Sequence, residues 1–264
     1  MRIPSTRIRN KLKSGQAAFG VTLQMPSPDE VEIAGHAGLD YVWIDAEHGT
    51  MDLGDINVMV RAADAVGIDS IVRVPDQTPS FIQRVLDTGA TGILVPHMRT
   101  PEDARAIVAA ATYAPSGIRG ACPTIRAFGH MSANWAEDLS RARKDVLVFG
   151  LIEDIEGVEN IEAIAAAGLD AVMFGPFDLA VALGLDGNVK HSKIVEMGDR
   201  VRRAAVAAGI HNFAVLAGWD AGTLQSLAAE GVRIFNIGGD KGGLFVYFRD
   251  AKRKADEAFA QWKV

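Results

Sequence analysis

The chain has 264 residues, 48% apolar and 23% charged, with a formal net charge of −6. This is an ordinary globular composition, and its negative balance argues against nucleic acid and anionic membrane as partners, which reward clustered Lys and Arg. No run approaches the ~18 apolar residues of a membrane span. The basic start MRIPSTRIRNKLKSG lacks the apolar stretch of a secretory signal, and the lone Cys122 excludes an intrachain disulfide or a thiolate metal cluster; a soluble cytoplasmic protein is expected.

AFGVTL (18–23) predicts the first strand, and Pro28 to Ala37, opened by proline and acids and stopped at Gly38, predicts a helix. Strands follow at YVWID (41–45), SIVRV (70–74) and GILVP (92–96), apolar throughout as parallel strands covered on both faces are. The next helix runs from Pro101 to Thr112 with Thr100 as N-cap. The long connection from Tyr113 to Asp145 carries aromatics and arginines and is read as a substrate-covering loop, the alternative being a structural excursion with a short helix from Asn134 to Arg143. VLVFGLIE (146–153), a helix from Val158 to Ala167, AVMFG (171–175), a short helix from Asp178 to Leu183, HNFAVL (211–216), a helix from Asp220 to Glu230 and RIFNIG (233–238) complete the pattern.

Three helices pass into the next strand through one phrase, AGLDYV (37–42), AGLDAV (167–172) and EGVRIF (230–235), with TGATGI (88–93) a looser copy. A repeated βα unit with right-handed crossovers predicts a (β/α)8 TIM barrel, α/β in class, over 1–264 as one domain. An open doubly wound sheet is the competing architecture.

Barrel enzymes place reactive groups where strands end. Strand two delivers Asp45, Glu47 and His48, strand three Arg73, strand four His97, strand five Glu153 and Asp154, and strand six Asp178. Glu153 and Asp178, aimed at one mouth with no cysteine to help, imply a hard divalent ion doing Lewis-acid work on a carbonyl. Asp154, Glu156 and Glu159 read as acids favoured by a helix start. Gly175-Pro176-Phe177 turns into a helix whose first N–H groups suit a substrate carboxylate. Arg73 suits a carboxylate or a developing enolate oxygen, or else an ion pair with Asp45 or Asp69. His48 has the pKa range of a general base, with Asp45 placed to orient it.

Together, IDAEHG (44–49), VRVP (72–75), VLDTGATGILVPHM (85–98), YAPSGIRG (113–120), LIEDIEGVENI (151–161) and GPFDLAVALG (175–184) resemble the HpcH/HpaI family of metal-dependent class II pyruvate aldolases. The resemblance implies a barrel whose Glu153 and Asp178 hold Mg2+, Mn2+ or Co2+, and whose Arg73 meets the pyruvoyl oxygen. It implies proton transfer by His48 with Asp45, and an Asp87 that reaches a neighbouring subunit's histidine. It further implies a homo-hexamer, a trimer of dimers, with the carboxy-terminal helix exchanged between subunits; GGLFVYF (242–248) and the charged segment after it fit that exchange. Leu151 stands where some members carry glutamine, and GVTLQMPS (20–27) lacks a tryptophan that some carry, which leaves the aldehyde half of the substrate open.

The expected reaction is reversible cleavage of a 4-hydroxy-2-oxo acid, such as 4-hydroxy-2-oxoheptanedioate or a 2-keto-3-deoxy sugar acid, to pyruvate and an aldehyde. No Schiff-base lysine and no nucleotide cofactor are expected. The rivals are a CoA-thioester lyase of the citrate or malyl-CoA lyase type, for which no basic patch awaits the CoA phosphates, and a non-catalytic barrel that binds oxo acids.

Overall fold

Strands that are apolar along their whole length need cover on both faces, and closing the sheet on itself supplies it. In a computed structural model describing residues 6–216, 218–260 and 262 (residue 143 without its side chain), eight parallel strands close into a barrel in chain order. They are β1 (Ala18–Leu23), β2 (Tyr41–Asp45), β3 (Asp69–Arg73), β4 (Gly92–Val95), β5 (Leu147–Ile152), β6 (Ala171–Phe174), β7 (His211–Val215) and β8 (Ile234–Gly239). The helices are α1 (Arg7–Lys13), α2 (Pro28–His36), α3 (Leu53–Ala65), α4 (Pro79–Asp87), α5 (Pro101–Ala111), α6 (Trp135–Asp145), α7 (Ile155–Glu159), α8 (Ile161–Ala165), α9 (Pro176–Ala182), α10 (Ser192–Ala208), α11 (Ala221–Ala229) and α12 (Asp240–Ala260). The first five residues of the basic amino-terminal segment lie outside the described residues.

Alternation along each strand divides the core. Tyr41, Trp43, Ile71, Leu94, Phe149, Met173 and Phe213 fill the barrel interior. Their neighbours Val42, Ile44, Val72, Ile93, Val148 and Val172 pack outward against the helices. The repeated phrase has a physical meaning. Gly38, Gly89, Gly168 and Gly231 all sit at φ between 90° and 99°, where a side chain would be strained. Asp40 and Asp170 then accept the N–H of Phe19 and Val148, the strands one step back, at 2.9 and 2.8 Å, and Thr91 does the same for Ser70 at 3.2 Å. The basic amino-terminal helix closes the end where the strands begin. Lys11 pairs with Asp40 at 2.7 Å, Arg9 with Asp170 at 3.0 Å, and the Ile8 N–H reaches Asp69 at 2.7 Å. The opposite end is left as the mouth.

Thr100 caps α5 in a reciprocal capping box with Asp103, as its position predicts. The helix expected from Val158 to Ala167 is instead two short ones, α7 and α8. They break at Asn160, whose side-chain amide donates to the Arg99 carbonyl at 2.9 Å. The long connection also departs from expectation. It leaves the far end of α5, so it lies on the closed face and does not cover this chain's own mouth. There Arg126 binds the Thr88 carbonyl and Asp64, while Tyr113, Phe128 and Trp135 form an aromatic cluster with centroids 5.3–6.2 Å apart.

Candidate active site

Asp45 is the last residue of β2 and continues the inward series of Tyr41 and Trp43; its register partner across the sheet is Arg73. Arg73 grips both of its oxygens, Nε to Oδ1 at 2.8 Å and Nη2 to Oδ2 at 2.6 Å, with the guanidinium 4.8 Å from the Trp43 ring centre. Gln24 donates to Oδ2 at 2.8 Å, and the N–H groups of Glu47 and His48 donate to Oδ1 at 3.2 Å. Burial alone would raise the pKa of Asp45, but the hydrogen bonds and charge of Arg73, then Gln24 and the His48 N–H, hold it below the ordinary value. The turn is tight enough that a Cβ on Gly49 would fall 2.1 Å from the Asp45 carbonyl oxygen.

This corrects the pairing expected for His48. Asp45 accepts its main-chain N–H, not its ring. The imidazole is 62% exposed, with Nε2 3.8 Å from Glu47 Oε2. Glu47 faces inward, its Oε2 2.9 Å from Arg73 Nη1 yet without an aligned hydrogen bond. Burial raises its pKa; Arg73 and His48 pull it down, and Asp45 adds to the rise.

His97, at the exit of β4, has a left-handed main chain (φ 57°). Its N–H donates to Glu153 Oε1 at 3.0 Å, its Nδ1 lies 3.0 Å from Asp154 Oδ2, and its carbonyl accepts from Gln77 at 2.8 Å. Asp154 therefore does more than favour a helix start: it also pairs with Arg99 at 3.2 Å. Glu153 is buried and its pKa is pushed up to about 7 by that burial, opposed by His97 and reinforced by the charges of Glu47 and Asp178. Gly175 passes so close that a Cβ there would lie 2.7 Å from Glu153 Cβ and 3.3 Å from Oε2. Pro176, Phe177 and Asp178 form the first turn of α9, with Phe177 and Asp178 exposed.

Glu47, His97 and Glu153 bring ligand atoms within 4.8 Å of one another. Asp178 is not in that group, although its charge acts on Glu153. Carboxylate and imidazole donors with an unbonded Glu47 oxygen and a Glu153 that resists ionisation suit a hard divalent cation. Asp87 stands apart from this cluster within one chain. It ends α4 on the closed face, where Arg119 pairs with it at 2.8 Å. Lys144, Lys190, Lys193 and Lys241 are all exposed. Spacing offered both His48 and Arg73 as partners of Asp45 without deciding between them, and gave no sign of the turn at His97. The choice depends on strand register and the turn on a backbone angle, although the end of the apolar run at Pro96 marked where the strand ends.

Comparison with known proteins decides what this mouth belongs to. The family model described as HpcH/HpaI aldolase/citrate lyase matches residues 19–246. The chain belongs to that family. The 5-keto-4-deoxy-D-glucarate aldolases of Klebsiella pneumoniae and Shigella dysenteriae are 34% and 33% identical over 255 residues, 95% of this chain and 96% of each relative. The crystal structure of an HpcH/HpaI aldolase from Desulfitobacterium hafniense superposes with a TM-score of 0.90 at 32% identity, covering 96% of this chain and 98% of that one. Membership makes the protein a carbon–carbon lyase of the class II pyruvate aldolase family, and that family is metal-dependent.

Proposed function

We propose that the protein cleaves a 2-keto-3-deoxy sugar acid of the 5-keto-4-deoxyglucarate type to pyruvate and 2-hydroxy-3-oxopropanoate, with Mg2+, Mn2+ or Co2+ as cofactor. The observation that carries this reading is the convergence of Glu47, His97 and Glu153 within 4.8 Å beside a guanidinium already fixed by Asp45. Glu153 and Asp178, with Glu47 beside them, would hold the divalent ion, which would supply Lewis-acid polarisation of the 2-keto oxygen. Arg73, which lines the mouth cavity, is held by Asp45 in the plane needed to bind the neighbouring substrate oxygen. His48, at the rim, takes the proton of the 4-hydroxyl as the C3–C4 bond breaks. The bonding pair passes to C3, C4 becomes the aldehyde carbonyl, and the resulting enolate is protonated at C3. The Gly175–Phe177 turn borders Glu153 and forms the wall against which the pyruvoyl half rests.

The same reading makes the working form a homo-hexamer, a trimer of dimers, in the cytoplasm. Supporting it, no residue of α12 is buried, and Phe245, Tyr247 and Phe248 are 66%, 68% and 61% exposed, a cost that burial against another chain removes. Asp87, remote from its own mouth and paired with Arg119, would then meet a neighbouring subunit's histidine from that pair. No helix among the described residues is long and apolar enough to cross a membrane.

The test is turnover of 5-keto-4-deoxyglucarate by the purified protein with Mg2+ or Mn2+, read as pyruvate formed. Release of pyruvate together with 2-hydroxy-3-oxopropanoate is expected. Absence of pyruvate from this and other 4-hydroxy-2-oxo acids, with the fold intact, would remove the assignment.

A further inference from the structure

Most side chains that flank a metal site act through their rings or carboxylates. At His97 the main chain is the unusual part. A left-handed φ of 57° is uncommon outside glycine, although histidine joins asparagine and aspartate among the residues that adopt it most readily, and it persists where surrounding contacts enforce it. Three contacts do so here: the N–H to Glu153 Oε1 at 3.0 Å, the carbonyl to Gln77 Nε2 at 2.8 Å, and ring Nδ1 to Asp154 Oδ2 at 3.0 Å. Nδ1 also lies 3.5 Å from Glu153 Oε1. One oxygen of Glu153 is therefore occupied from the His97 side. The other, Oε2, lies toward the Gly175 turn from which Asp178 follows.

We propose that His97 is a positioning residue: its left-handed turn ties up Glu153 Oε1, so that the carboxylate meets the divalent ion through Oε2 alone. The inference rests on the metal-dependent reading above. It deepens that reading by assigning the site's ion selectivity. Although His97 belongs to the group of potential ligands, the nitrogen it turns toward Glu153 is already shared with Asp154, so its service is to shape Glu153. A carboxylate restricted to one oxygen suits small octahedral ions of the Mg2+ and Mn2+ class. Ca2+ prefers more oxygens and often takes both from a single carboxylate. The site therefore discriminates against Ca2+ through a backbone turn two strands away in sequence from Asp178.

Mn2+ titration of the metal-free protein, followed by electron paramagnetic resonance with Ca2+ as competitor, tests this without recourse to turnover. His97→Val, a β-branched residue that resists the left-handed turn, is expected to weaken Mn2+ binding by about 10-fold or more, the usual scale for lost support around metal ligands, and to let Ca2+ compete better. His97→Asn, which tolerates the turn and keeps the N–H, is expected to rescue both affinity and selectivity. Gln77→Leu loosens the turn from its carbonyl side without touching Glu153, and shifts binding in the same direction as His97→Val if that variant folds poorly. Equal losses in His97→Asn and His97→Val would make the ring a direct ligand and overturn the inference. So would unchanged Mn2+ and Ca2+ binding in His97→Val and Gln77→Leu. Wild-type protein that binds no Mn2+ would instead overturn the metal-dependent reading itself, and this inference with it.

Discussion

Glu153 carries the clearest electrostatic signature at the residue scale. Its pKa near 7 in the folded chain lies above the ordinary 4.5, so between those values the native state holds a proton that the unfolded chain has released. Stability of the metal-free protein therefore falls as pH rises through that window and is fully free of this penalty only below it. Metal binding requires the carboxylate, so affinity should rise with pH up to about 7 and level off above, and binding near pH 6 should release a proton. Calorimetry in buffers of different ionisation enthalpy measures that release; affinity unchanged from acid to neutral pH would contradict it. Glu153 was visible in the sequence as an acid at the end of an apolar strand. Asp45 was visible too, with both His48 and Arg73 as candidate partners. Sequence spacing allowed His48, three residues on, whereas the strand alternation turns Asp45 inward to the register position of Arg73.

Elements explain why the site assembles. Each strand ends within a residue or so of where its apolar run stops, because burial on both faces requires that run and the mouth does not. The helix cap at Thr100 was legible because its side-chain oxygen satisfies an N–H group that the helix itself cannot; the same role of Ser27 at α2 emerges only from the structure. The location of the Tyr113 to Asp145 connection was not legible. Its aromatics and arginines have the composition of a substrate cover, and only the direction of α5 sends them to the closed face. One close approach between elements makes a sharp prediction. Gly175→Ala would force a methyl to 2.7 Å from Glu153 Cβ. Relief by displacing either loop should cost about 1–3 kcal/mol of stability and weaken Mn2+ binding. Denaturant unfolding and Mn2+ titration read the two effects separately, and a variant indistinguishable from wild type in both would show that the turn has slack.

Across the whole molecule, the barrel completes its sheet but leaves its last helix uncovered. The repeated glycine-bearing phrase marks returns from helix to strand, and the sequence pattern of βα units favoured closure over an open doubly wound sheet, which the strand pairing then decides. The proposed oligomer rests on a fainter trace, an apolar run on a helix that has no buried residue in its own chain. On the proposed hexamer, replacing Phe245 and Tyr247 together by aspartate should shift the protein to smaller species in sedimentation velocity, with the metal-free fold retained. A wild-type chain that sediments at its monomer mass of 28.1 kDa would contradict the exchange of α12.

The central claim is that carbon–carbon cleavage here depends on a divalent ion at Glu153 and Asp178 and not on a lysine adduct. Retro-aldol activity after exhaustive EDTA treatment, with and without Mg2+ or Mn2+ restored, and with borohydride added in the presence of pyruvate, tests it most directly. Loss of activity on chelation, recovery with the ion and indifference to borohydride are predicted. Activity that survives chelation and is lost to a borohydride-trapped pyruvyl-lysine adduct would contradict it.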